Sequence, residues 1–160
     1  DTRNVTNMKA MFYLASVFNQ PLNHWNVGNV TDISGMFDGA SSFNQPLNSW
    51  NVENVTTMND LFKKASCFNQ PLDQWNTKKV VTCPFMFSKA IIFNQPLNTW
   101  NVSQVTNMTN MFLGATAFNQ PLDNWDVSNV MHMSKMFYQA TCFNQALDSW
   151  NVDTLIIKEI

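Results

Sequence analysis

Residues 18–42 read Phe18-Asn19-Gln20-Pro21-Leu22-Asn23-His24-Trp25-Asn26-Val27-Gly28-Asn29-Val30-Thr31-Asp32-Ile33-Ser34-Gly35-Met36-Phe37-Asp38-Gly39-Ala40-Ser41-Ser42, and Phe43 then starts the same pattern again. Further copies start at Phe68, Phe93, Phe118 and Phe143, each 25 residues after the last, and Trp25, Trp50, Trp75, Trp100, Trp125 and Trp150 keep the same spacing. A fixed period of about 20–50 residues marks a stacked repeat protein. A unit this small cannot bury its own apolar face and has to lie on its neighbours. The chain therefore reads as one repeat domain over residues 1–160, with a partial unit at 1–17, five full units at 18–142 and a degenerate terminal unit at 143–160.

Two apolar rhythms share each unit. Leu22, Trp25 and Val27 have the spacing of a short strand that turns Asn26 outward. Val30, Ile33, Met36, Phe37 and Ala40 follow steps of three and four, the rhythm of one helix face. Thr31, with Thr6, Thr56 and Thr106 in the same column, is placed to cap that helix. The expected fold is an α/β repeat solenoid with one short parallel strand and one short helix or helical turn per unit. Pro21 and its equivalents set a bend before the strand, and Ala146 alone departs from proline in that column. The tetrapeptide asparagines (Asn19, Asn44, Asn69, Asn94, Asn119, Asn144) never vary, which suits a buried amide ladder that satisfies backbone groups of the turn. The alternative is a row of ligand-binding amides.

The unit W-N-V-x-x-V-T-x-M-x-x-M-F-x-x-A-x-x-F-N-Q-P-L resembles the BspA-type leucine-rich repeat over residues 4–152. That repeat occurs in bacterial surface proteins, and as a repeat of unknown function in mycoplasma surface lipoproteins, some protists and large viruses. The resemblance implies a leucine-rich-repeat-like right-handed solenoid, a cell-surface or extracellular location and an adhesion role. It implies no catalytic residue.

Composition narrows the function. The chain is 45% apolar but only 12% charged, with a formal net charge of −2. Such a surface exerts no long-range pull on nucleic acid or anionic membrane, and no apolar run reaches the roughly 18 residues of a membrane span. The opening at Asp1 falls inside a unit, as expected of a fragment of a longer array or of a cap without its first half. Cys67 and Cys142 share a column three units apart, roughly 14 Å in a strand-like stack and too far for a disulfide. With Cys83 they read as small buried hydrophobes. His24 and His132 are widely separated and no nucleophile, phosphate-loop or zinc motif is present. The expectation is no enzyme, no metal and no cofactor. Asp32 and Asp38 read as surface groups because neither recurs in a neighbouring unit.

What remains is recognition. On the expected strand face one column runs His24, Ser49, Gln74, Thr99, Asn124, Ser149; a second is nearly all Asn; a third runs Gly28, Glu53, Lys78, Ser103, Ser128, Asp153. Varied columns on a regular scaffold are where solenoids contact partners, so His24, Ser49, Gln74, Lys78, Thr99 and Asn124 are the candidate binding residues, for a protein or glycan partner. The rival is a structural spacer that contacts only copies of itself through its terminal repeats, for which the aliphatic tail Leu155–Ile160 is suited, unless that tail is a cap strand. Weaker readings are an anion patch at Lys63, Lys64, Lys78, Lys79 and Lys89, lattice binding by the threonine column, and glycosylation at Asn4, Asn29, Asn54, Asn101 and Asn107.

Overall fold

The computed structural model describes residues 1–156. The repeat is present throughout as a stack of flat coils around one continuous core. The phenylalanines that open the units lie over one another at ring-centroid spacings of 5.9–6.1 Å. A second ladder (Phe12, Phe37, Phe62, Phe87, Phe112, Phe137) runs beside it at 5.5–5.6 Å. The two ladders touch at 4.0–4.2 Å, each ring of the second against the phenylalanine that opens the following unit.

That pitch decides the secondary structure. An α-helix with its side chains is about 10 Å across, so parallel helices cannot follow one another every 5.5–6.1 Å. No helix forms among the described residues, and the expected one over Val30–Ala40 is replaced by consecutive β-turns. Met36 N–H donates to the Ile33 carbonyl, Asp38 to Gly35 and Ala40 to Phe37. The intervening N–H groups point along the stack: those of Ile33, Gly35, Phe37 and Gly39 donate to the carbonyls of Thr57, Asn59, Leu61 and Lys63 in the next unit. This answers the backbone's demand for partners without a helix. The apolar steps of three and four still point inward, because closely spaced turns return side chains to the core much as a helix does. Val30, Ile33, Met36, Phe37 and Ala40 are all buried.

The expected strand is displaced too. Parallel bridges run through Asn7, Asp32, Thr57, Thr82, Asn107 and His132, not through the Trp25–Val27 segment. That segment sits between two turns closed by Trp25 N–H to Leu22 and Val30 N–H to Val27. Leu22 and Val27 are buried and Asn26 is exposed, as the alternation requires. The Thr31 hydroxyl caps no helix; it donates to the Thr6 carbonyl of the preceding unit, and Thr56 and Thr106 repeat this with Thr31 and Val81. Leu155 is buried and Ile156 N–H donates to Met131, so the described part of the tail continues the coil; its last residues, 157–160, lie outside the described residues.

Each unit bends on two residues with positive φ. They fall in two columns, Ala10, Gly35, Asp60, Phe85, Asn110, Lys135 and Leu14, Gly39, Lys64, Lys89, Gly114, Gln139. Nine of the twelve are not glycine, at φ of 54–62°, and each costs about 1–2 kcal/mol of steric strain. Lys89→Gly keeps the backbone bond from residue 89 to Leu113 and is expected to stabilise the chain by about 1 kcal/mol after glycine's entropy cost is subtracted. A urea midpoint that fails to rise would show that the column carries no such strain.

Candidate binding surface

The invariant polar side chains are used up inside the stack. Asn44 N–H donates to Asn19 Oδ1 at 2.9 Å, and Gln45 Nε2 donates to the same oxygen at 3.1 Å and to the Asn19 carbonyl at 3.1 Å. The pattern repeats through Asn69, Asn94 and Asn119 up to Asn144 and Gln145. The ladder expected from the tetrapeptide is therefore present, half-buried instead of buried, and its glutamine is as structural as its asparagine. Each tryptophan from Trp50 to Trp150 donates its indole N–H to the leucine carbonyl of the preceding unit at 2.9–3.0 Å.

The near-constant Asn column is structural as well. The side-chain oxygens of Asn26, Asn51, Asn76, Asn101, Asp126 and Asn151 accept the N–H two residues on, which fixes the following turn. At Asp126 the Ser128 hydroxyl and N–H hold the carboxyl below its ordinary pKa. Among the Asn-x-Ser/Thr sites, the Asn29 and Asn54 amide nitrogens donate to the carbonyls of Arg3 and Gly28.

The candidate binding residues stand on the tips of two turns per unit and are all exposed. His24, Ser49, Gln74, Thr99 and Asn124 share one column, with Lys78 on the next turn of its unit. Adjacent members are neighbours, while His24 and Asn124 lie four units apart, roughly 20 Å. They differ in how free they are. The Ser49 and Thr99 hydroxyls donate to the carbonyls of Asn23 and Asp73, and Gln74 Nε2 donates to Asp73 Oδ2 at 3.2 Å. Thr99 and Asn124 border a shallow depression of about 380 Å³ with Asn98, Asn101, Ser103 and Asp126.

Two of the five clustered lysines are engaged by neighbouring side chains. Lys63 Nζ bonds Asp60 at 2.9 Å, lies 3.9 Å from Asp38 and sits over the Phe85 ring; Lys79 donates to Asn54. The hydrogen bond to Asp60 raises the Lys63 pKa. Burial raises that of Asp38, with Lys63 opposing. Cys83 is buried and its thiol is pushed up to about 12, whereas Cys67 and Cys142 are exposed, which corrects their reading as core residues. Both positions fall on turns between units, where Val17, Ser42, Ile92 and Ala117 stand in the other copies. Among the described residues no three His, Cys, Asp or Glu side chains are placed to share a metal ion.

Sequence reasoning missed one open polar groove. Lys9, Tyr13, Asp32, Ser34, Asp38, Thr57, Asn59 and Asp60, from the first three units, line a groove of about 340 Å³. No single unit contains it, so Asp32 and Asp38 read alone give no sign of Asp60 beside them. No curated protein and no solved structure matches the chain. The family described as Mycoplasma protein of unknown function, DUF285, matches it over residues 1–91 and again over 68–159, and the chain belongs to that family.

Proposed function

We propose that this chain is a non-enzymatic binding module, working without metal or cofactor, that contacts a protein or glycan partner through the varied side chains of its turn tips. One observation carries the reading: the constant side chains are consumed by bonds within and between units, while varied ones such as His24, Lys78 and Asn124 stand exposed at fixed spacing. A stack cross-linked at every unit holds such side chains in place before a partner arrives, which reduces the ordering cost of binding. The same reading includes a BspA-like, right-handed leucine-rich-repeat coil, a cell-surface or extracellular location and an adhesion role, supported by the repeat pattern and its resemblance. Nucleic acid is an unsuitable partner for a chain of net charge −2.

The test is a screen of the immobilised chain against a glycan array and a panel of purified extracellular-matrix proteins. Partners found are then measured against a Gln74→Ala, Lys78→Glu, Asn124→Ala variant. At least a tenfold weakening is expected with the unfolding midpoint unchanged. Undiminished binding by the variant, or no partner in either panel, would overturn the reading.

A further inference from the structure

The groove across the first three units holds polar atoms that the fold leaves without partners. Ser34 is 7% exposed, yet its hydroxyl oxygen has no hydrogen-bond partner, and neither has the buried Asn59 Oδ1. Both residues line the groove and occupy the same column in successive units. Their backbones do not explain them. Ser34 N–H donates to Asp32 Oδ1, the Ser34 carbonyl accepts from Ala10, and the Asn59 carbonyl accepts from Gly35. Only the side-chain atoms are left over, and a buried polar atom without a partner is costly enough to call for an explanation.

We propose that this groove binds a saccharide ring. Its wall offers acceptors in excess, the Asp32, Asp38 and Asp60 carboxylates and the Thr57 hydroxyl, with the Ser34 hydroxyl and Asn59 Oδ1 buried just beneath it. An ammonium ligand fits poorly, because Lys63 Nζ already lies between Asp38 and Asp60, and Lys9 stands on the wall. Neutral hydroxyls suit the groove better, since each donates one bond and accepts others. Adjacent ring hydroxyls would meet Ser34 and Asn59 once either side chain turns outward to another rotamer. Tyr13, 55% exposed on the wall, provides an aromatic surface for the C–H face of a sugar. The floor is open at Gly35, where an added Cβ would meet nothing within 4 Å.

Gly35 also supplies a clean test. Its column accepts asparagine at positive φ, as Asn110 shows at 56°, so Gly35→Asn fills the groove while the coil keeps its conformation. Amide-resolved NMR titrations of the full chain would use glucose, galactose, mannose, N-acetylglucosamine and N-acetylneuraminic acid, each to about 50 mM, with Nα-acetyl-lysine amide as the ammonium probe. Saturable shifts at Ser34, Gly35, Asp38, Thr57 and Asn59 are expected with at least one sugar. Gly35→Asn and Asn59→Ala should each weaken that binding about tenfold, and Gly35→Asn should keep a single cooperative unfolding transition, its midpoint lowered only slightly by the side chain at positive φ. No saturable shift with any sugar, equal binding by both variants, or saturation by the lysine derivative alone would overturn the proposal. The groove shares no residue with the proposed turn-tip contact, so either can fail without the other.

Discussion

Replacing Phe87 with alanine is expected to remove about 3–5 kcal/mol of stability, as large aromatic-to-alanine truncations in a closed core do. Phe87 is fully buried, with rings on every side: Phe62 at 5.6 Å, Phe112 at 5.5 Å, Phe93 at 4.2 Å and Trp100 at 6.2 Å. Its loss opens a void in the middle of the second phenylalanine ladder, against Phe93 of the first, and flat units cross-linked above and below have little freedom to collapse into it. In a stack, stability is a sum of unit and nearest-neighbour terms, so the damaged unit should also divide the array. Urea unfolding followed by tryptophan fluorescence is expected to become broader or biphasic. Phe12→Ala is the control: that ring is half-buried, with Phe37 as its one neighbour along the ladder, and should cost less than half as much. A loss below about 1 kcal/mol at Phe87 would mean that the ladders do not hold the stack together.

Asn94→Ala should cost about 2–3 kcal/mol although it removes no apolar contact. Its Oδ1 accepts from Asn119 N–H at 2.9 Å and Gln120 Nε2 at 3.1 Å, and alanine leaves both donors half-buried without that acceptor, at about 1–3 kcal/mol for each fully buried group. Asn94→Asp retains an acceptor oxygen at the same place and is expected to recover most of the loss. Asn144→Ala is the matched control, since Asn144 Oδ1 accepts no such bond among the described residues, and its unfolding midpoint should barely move. Equal effects at 94 and 144 would remove the ladder's claim to stability.

The two substitutions probe different levels of what the sequence reveals. Asn94 was legible: an amide that never varies between copies, beside a phenylalanine and before a proline, calls for a repeated structural bond, and the ladder is there. The buried set was legible too, because Leu22, Val27, Ile33, Met36 and Phe37 lie on one side under any local geometry that respects their spacing. The helix was not. Steps of three and four are shared by a helix and by successive turns, and local sequence cannot separate them; the spacing of the phenylalanine ladders does. Positive φ at Lys64, Lys89 and Phe85 was hidden for a related reason. None of these residues favours that conformation, and the bonds to the next unit impose it.

The candidate surface divides along the same line. Variation between copies picks out His24, Gln74, Lys78 and Asn124 as exposed tips, but it cannot tell that the Ser49 and Thr99 hydroxyls beside them are committed to neighbouring carbonyls. Nor can it find the groove, because Asp38, Ser34, Asn59 and Asp60 come from two successive units and meet only across the stack. By itself the sequence determined the period, the single core and the residues that fill it, since a repeated pattern of apolar side chains admits burial on one side only. The tertiary structure decided turns over helix, the strained columns and the groove. Each depends on how closely one unit approaches the next, a distance set by stacked rings and cross-unit hydrogen bonds acting together.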